Sequence, residues 1–458
     1  QSLISLRNVM KGSEEYWVTY PALAYRYQTN PLFLSADCFL TKIHHLQRLK
    51  WLLTDPGNEI EETEISAIID SVHVLGKGRS RAELTSFLAA LANPETDSAT
   101  QTSLTAMILS ASERTKTNAV AVARSLQMTL PEIPDADLAG DWDYLCREIK
   151  TDIMIKPERT VARMNDILSL LRKTDNARMF MISNSTDRNA TFDIIEKLVT
   201  KLDATGKSIR QTYSKTDRIT GRLRDRVPGL KNPDYVGLVN ENTRNGVIIS
   251  SARDAGIYDI STSAIINDLA ARMYTGGGGH SLFMKTWGAG LAYSNGVSYN
   301  ERNGRVGYYA ERCPDISETM RFVVDQLKTP LNDPSLVDYA TAQVFLSSRA
   351  ASTYESRGQG MANDLADNLP PDMVRNYRRK VMEVRKTADL MSKMKARVEP
   401  VLGLALVGYG PKQSESPEAS FFIIGPEPQF KAMEEYIKAT DGEQPVYRLY
   451  PRDFWLTM

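Results

Sequence analysis

Few side chains in this 458-residue chain are placed to break or make bonds. Its four histidines, His44, His45, His73 and His280, are too few and too scattered for a Ser-His-Asp or Cys-His constellation to be argued. Asp141 and Asp143 stand two apart, a spacing that points side chains apart in any strand, so they read as caps of a helix beginning near residue 142 rather than as an acid/base pair. Neither Gly276-Gly277-Gly278-Gly279 nor Gly76-Lys77-Gly78 is followed by the Lys-Ser/Thr of a phosphate loop. The longer run reads as a flexible turn, with His280 expected in an exposed loop just after it. Cys38, Cys146 and Cys313 are odd in number and far apart, and read as ordinary thiols rather than metal ligands or a disulfide framework. Beyond the turn stands Lys285, then the phrase Gly288-Ala289-Gly290-Leu291-Ala292-Tyr293-Ser294. Its tyrosine either lines a groove or packs under the preceding helix.

The elements that must position these residues follow from composition and pattern. With 42% hydrophobic residues the chain can bury more than one core, so two or more domains are expected. Basic and acidic residues balance at 56 each, which leaves no global field to draw the protein to nucleic acid or anionic lipid. No apolar run is long enough to span a bilayer, and no basic-then-apolar signal opens the sequence. Residue 1 is Gln, which reads as a trimmed chain or a fragment.

An internal duplication organises the chain. The apolar run Arg178-Met179-Phe180-Met181-Ile182, a polar turn and a helix-period segment over 192–202 are echoed by Phe421-Phe422-Ile423-Ile424, the turn Gly425-Pro426 and a helical stretch over 429–438. The two phrases lie roughly 240 residues apart, which suits paired domains and not a solenoid. A second pair at a similar offset, residues 108–114 and 345–351, supports the same reading. The boundary falls in 205–234, where Thr205-Gly206-Lys207 leads into Arg218, Arg222, Arg224 and Arg226 and then Pro228-Gly229 and Asn232-Pro233. That is linker chemistry between a first module over 1–204 and a second over 235–458.

In the second module residues 246–250 are apolar and β-branched and read as a strand, and 260–274 as a helix stopped by the glycine run. Residues 304–310 read as another strand. Asp315 and Glu318 frame a helix start, and Met320, Val323, Val324 and Leu327 form its apolar face. Long helices over 335–400, interrupted at Pro370-Pro371, precede the closing strand and helix. Helices in runs, rather than strict βαβ alternation, imply an α+β fold: two homologous α/β-sandwich modules, each a mostly antiparallel sheet covered by helices.

This duplicated order, with the glycine run, the Gly-Leu-Ala-Tyr phrase and Gly304-Arg305-Val306-Gly307-Tyr308-Tyr309, resembles the pitrilysin/insulinase superfamily of zinc metallopeptidases, especially its long-chain branch that includes the presequence proteases. The resemblance covers about 235–458 well and 100–205 less fully, and identifies the chain with the C-terminal half of such an enzyme. Active halves carry His-x-x-Glu-His, two zinc ligands flanking a general base. No pair of histidines here has that spacing. The resemblance therefore implies no catalytic residue, metal ligand or cofactor in this chain. It places zinc in a partner half, on the same polypeptide or a second chain, and implies extended peptides as substrates. It also implies a substrate-binding set of Tyr293, Lys285, Gly288 and Gly290, since C-terminal halves of the family supply an Arg and a Tyr to hold the substrate carbonyl. Here the Arg position falls near Thr286 or Trp287, leaving Lys285 as the closest cation in sequence, without the planar fork of arginine. That departure also fits an alternative, a proteolytically inactive structural or interaction protein on the same fold, like the peptidase-derived core subunits of respiratory complexes. Organelle matrix and bacterial cytoplasm or periplasm all stay open as compartments.

Overall fold

The computed structural model describes residues 62–94, 103–155, 157–171, 181–202, 218–230, 234–346, 353–370, 372–410 and 419–454. His44, His45 and Cys38 lie outside them, as does most of the apolar run over 178–182; its described residues, Met181 and Ile182, belong to no strand.

Described residues before 204 are helical. Helices α1 (Glu62–Gly76), α2 (Arg81–Ala92), α3 (Ser103–Ser110), α4 (Glu113–Thr129) and α5 (Leu138–Met154) pack about Ile65, Leu88, Leu104, Ala123 and Trp142. Two local devices set this packing. Ser80 and Glu83 form a reciprocal capping box that starts α2. Gly76 lets the Trp142 ring lie where a Cβ would sit 2.2 Å away, and the indole N–H donates to the His73 carbonyl at 3.0 Å. Helices α6 (Pro157–Leu171) and α7 (Ser185–Val199) follow.

The basic run expected to be a solvated linker is in part a packed helix, α8 (Arg218–Arg226). Its arginines hide an amphipathic pattern, in which Ile219 and Leu223, four apart, bury against the sheet while Arg226 reaches Asp453.

The rest is α+β. Six strands, β1 (Tyr235–Val239), β2 (Gly246–Arg253), β3 (Ser294–Asn300), β4 (Arg305–Cys313), β5 (Ser420–Gly425) and β6 (Tyr447–Leu449), form one sheet in the order β3-β4-β2-β5-β1-β6. The pairs from β3 to β5 are antiparallel, and β1 runs parallel to both β5 and β6. One face is buried under α9 (Thr262–Arg272), α11 (Ile316–Lys328), α12 (Ser335–Leu346), α14 (Met373–Val384), α15 (Leu390–Leu402) and α16 (Glu427–Thr440). These include the expected helices over 260–274 and from 315, the latter capped by Asp315 Oδ1 accepting from the Glu318 N–H at 3.0 Å. Met320, Val323, Val324 and Leu327 face the core as their spacing requires.

A buried polar network ties this helical layer to the β3–β4 hairpin. Arg272 holds Asp268 and, at 2.8 Å, Glu301 in the hairpin turn, while the Tyr377 hydroxyl donates to Asp268 at 2.8 Å. Burial pushes the Asp268 carboxyl up to about 6 against the pull of Arg272.

The other face is only half covered. There α8 lies on Val236, Leu238, Phe422, Ile424 and Leu449, while Ser298 and Asn300 of β3 and Arg253 of β2 are exposed and Tyr309 of β4 is half-buried.

Candidate substrate-binding edge

The site takes shape where α10 (Leu282–Gly288) hands the chain to β3. Ser281 caps α10, accepting from the Met284 N–H at 3.2 Å, and Leu282 and Thr286 turn inward. Trp287 is left exposed and Lys285 half-buried on the outer side.

The two glycines of the expected binding set sit at the end of this helix. Gly290, at φ +73°, takes the left-handed position that ends the helix: its N–H bonds to the Trp287 carbonyl at 2.9 Å, and the Leu291 N–H to the Thr286 carbonyl at 3.2 Å. That pair of bonds is a Schellman cap, so Gly290 is required by the backbone. Gly288 is the last helical residue, exposed, with open space around its Cα. Thr319 of α11 then donates to the Leu291 carbonyl at 2.9 Å, and Asn295 Nδ2 to the Phe283 carbonyl at 3.3 Å. The Gly-Leu-Ala-Tyr segment is thereby fastened on both sides before any ligand arrives.

Tyr293 is 63% exposed, so it does not pack under the helix. Its N–H donates to the Glu311 carbonyl at 3.1 Å, which leaves the ring standing at the head of β3. Above that ring, 4.6 Å from its centroid, lies the guanidinium of Arg312.

Arg312 reaches Tyr293 because β4 is bulged. Ile248 pairs with Ala310 and Gly246 with Cys313, so two β4 residues, Glu311 and Arg312, oppose the single Val247. Arg312 adopts φ +53°, a left-handed conformation uncommon for a side chain of its size. A bulge of this kind re-aims a side chain, and here it turns an arginine onto a tyrosine 19 positions earlier in the chain. Sequence reasoning placed the cation at Lys285 and missed Arg312, because strand alternation carries no mark of the extra residue.

Along its other flank β3 has no strand partner among the described residues. The site is thus a seven-residue strand edge with a Tyr–Arg pair at one end. A free edge offers backbone donors and acceptors to an extended chain, and guanidinium and phenol groups can donate to a carbonyl oxygen.

The remaining sequence candidates lie elsewhere. Asp141 and Asp143 sit inside α5, which starts earlier than expected at Leu138, and do not cap it. Arg452 donates to Asp141 at 3.0 Å, whereas Asp143 meets His73 Nε2 at 2.6 Å, a bond that lowers its pKa. His280 is half-buried rather than exposed and packs edge-on against Tyr339, with ring centroids 4.5 Å apart. The glycine run allows this, since a Cβ on Gly276 would lie 1.9 Å from the Tyr339 hydroxyl. Burial pushes the Cys146 and Cys313 thiols up, to about 12 and about 11, away from nucleophilic use. Among the described residues no group of three or more His, Cys, Asp or Glu side chains could hold a metal ion, and no helix is long and apolar enough to cross a membrane.

No protein-family model matches the sequence, and no curated protein matches it. Similar solved structures include a peptidase M16 inactive domain from Pseudomonas fluorescens, 14% identical over 52% of this chain and 51% of that one, with a TM-score of 0.32. A predicted insulinase family protease from Yersinia pestis is 14% identical over 55% of this chain and 53% of that one, with a TM-score of 0.34. A chain of complex III2 from Candida albicans is 12% identical over 88% of this chain and 79% of that one, with a TM-score of 0.36. The matched part spans about half the length of the Pseudomonas and Yersinia chains.

Proposed function

We propose that this chain is the non-catalytic half of a peptide-degrading zinc metallopeptidase, which closes a chamber over a zinc-bearing half and holds extended peptide along β3. The observation that carries the reading is the β3 edge, without a strand partner among the described residues, headed by the exposed Tyr293–Arg312 pair. An extended peptide adds to such an edge through main-chain hydrogen bonds, and the phenol and guanidinium supply donors for one carbonyl at its end. Arg312 provides the planar cation that the sequence phrase itself lacks, which favours a binding role over a purely structural one. On this reading the zinc and the general base belong to the partner half, and the present residues bind and orient without transferring a proton.

The test has two parts. Titrating the full chain with a fluorescein-labelled, unstructured ten-residue peptide should show saturable binding, lost when alternate peptide nitrogens are methylated. Equal binding of the methylated peptide would rule out strand addition. Material from the native source should contain stoichiometric zinc in a complex or longer polypeptide that cleaves the same peptide. Metal-free, inactive material of this chain's own mass would point instead to a scaffold role.

A further inference from the structure

The sheet face that α8 half covers carries an apolar pattern that the binding reading leaves unused. Side chains alternate across a sheet, so the register sorts this face into rows. One row runs from strand to strand as Tyr447 of β6, Val236 of β1, Phe422 of β5, Ile249 of β2 and Tyr309 of β4, and ends at Gly296 of β3. All but the last two belong to the core beneath α8. The rows on either side turn polar or small before the edge, with Ser294 opposite Glu311 and Ser298 opposite Gly307. The row furthest from Tyr293 places Asn300 opposite Arg305 and Arg305 opposite Arg253, both arginines with partners of their own.

Gly296 is not required by its own backbone. Its φ lies outside the left-handed region, and the nearest atoms a Cβ there would meet all belong to Tyr309: Cε1 at 3.4 Å, the hydroxyl at 3.6 Å and Cζ at 3.8 Å. Glycine inside a strand weakens it, and where no turn or bulge calls for one it marks the close approach of another group. Here the missing side chain lets the outer end of the half-buried Tyr309 ring lie across β3, so the apolar row reaches the edge itself.

We infer that β3 selects extended peptides with an aromatic side chain at the position beside Gly296, and that Tyr309 is the residue that makes the choice. This rests on the strand-addition reading above. An added strand lies about 5 Å beyond β3, and its side chain beside Gly296 points to the same face as Tyr309. An aromatic ring there continues the row against the outer end of Tyr309 and covers apolar surface that a glycine leaves bare. Ser294 and Ser298, the neighbours of Gly296 on that face of β3, are small enough to leave it room. The position is three residues along from the one beside Tyr293, so a ring at one point and a carbonyl at the Tyr293–Arg312 pair together set the register of the peptide.

The experiment compares two labelled ten-residue peptides of Ser and Thr, one with a central Phe and one with a central Ala, titrated against the full chain. The Phe peptide should bind about tenfold more tightly. That ratio should fall to near one in Tyr309→Ala, and also in Gly296→Val, which sets a branched side chain where the ring lies. It should survive in Tyr309→Phe, which keeps the ring. Circular dichroism checks each variant, and Gly296→Val, acting from the neighbouring strand, decides the outcome if Tyr309→Ala does not fold. Equal binding of the two peptides by the native chain, or a Phe preference that persists in either folded variant, would overturn the selectivity while leaving strand addition intact. If neither peptide binds, or binding is indifferent to N-methylation, strand addition and the selectivity built on it both fail.

Discussion

The two edges of the six-stranded sheet are finished in opposite ways. At the β6 edge the strand is only three residues long, and its surroundings are crowded with ion pairs. Arg448 bonds Glu434 and, at 2.7 Å, Glu427; Arg226 reaches across to the Arg448 carbonyl at 3.0 Å and to the buried carboxylate of Asp453. Arg452 extends the same cluster to Asp137 and Asp141 of the helical region. At the β3 edge the strand is seven residues long, and its exposed residues are small or polar. Proteins blunt sheet edges with short strands, charge and covering loops, since an open edge invites pairing with other chains. The β6 edge shows the short strand and the charge, whereas β3 is longer and has no strand partner on its outer flank among the described residues.

If the β6 edge is fastened and the β3 edge, without a strand partner among the described residues, takes a partner chain, stability and binding should separate between them. The largest stability effect is expected for Asp453→Ala, which strands Arg226 and frees the Tyr450 N–H; a loss of about 3 kcal/mol should appear in urea unfolding. A loss below about 1 kcal/mol would mean that the edge is held by something else. Next comes Gly304→Ala in the β3–β4 turn. Gly304 has φ +62°, and a Cβ there would lie 2.8 Å from the Asp254 carbonyl oxygen, so about 1–2 kcal/mol should be lost, with faster amide exchange along β3.

A smaller effect, dependent on pH, is expected at Glu434. Burial alone would raise its pKa, but the Arg448 hydrogen bond and the Val446 N–H outweigh it and hold the carboxyl below its ordinary 4.5. A depressed pKa contributes stability above the unfolded value and loses it as pH falls through the folded one. Glu434→Gln should therefore cost up to about 1 kcal/mol at pH 7 and progressively less below about pH 4.5. A pH-independent difference would contradict the ion-pair assignment. Tyr293→Ala should change stability least, within about 0.5 kcal/mol, because the ring is exposed. Its peptide affinity should nonetheless fall about tenfold, and a large stability loss instead would mark Tyr293 as a packing residue.

Much of the sheet module was legible one element at a time. Val247, Ile248 and Ile249 marked β2, the helix over 260–274 stopped at the glycine run, and Asp315 announced α11, because each signal is local and strong. Legibility failed where an outcome depended on distant partners. Asp141 and Asp143 looked like caps until the helix proved to begin earlier and to turn them toward Arg452 and His73. The basic stretch over 218–226 looked like linker because arginines outnumber the two apolar residues that anchor it. At the site, Tyr293 and Gly290 could be singled out from their phrase, but the reason for Gly290, a helix cap, appeared only with its hydrogen bonds.

Sequence alone determined the α+β class, the strands β2, β4 and β5 but not β3 or β6, the helices over 260–274 and from 315, and the lack of a family-type zinc spacing among the histidines, all of which follow from residue types and short-range spacing. Tertiary structure decided which sheet edge has no strand partner among the described residues, which arginine meets Tyr293, and which two arginines become cross-strand neighbours. Those outcomes depend on strand order and on one extra residue in β4, and a one-residue change of register moves every later side chain to the opposite face.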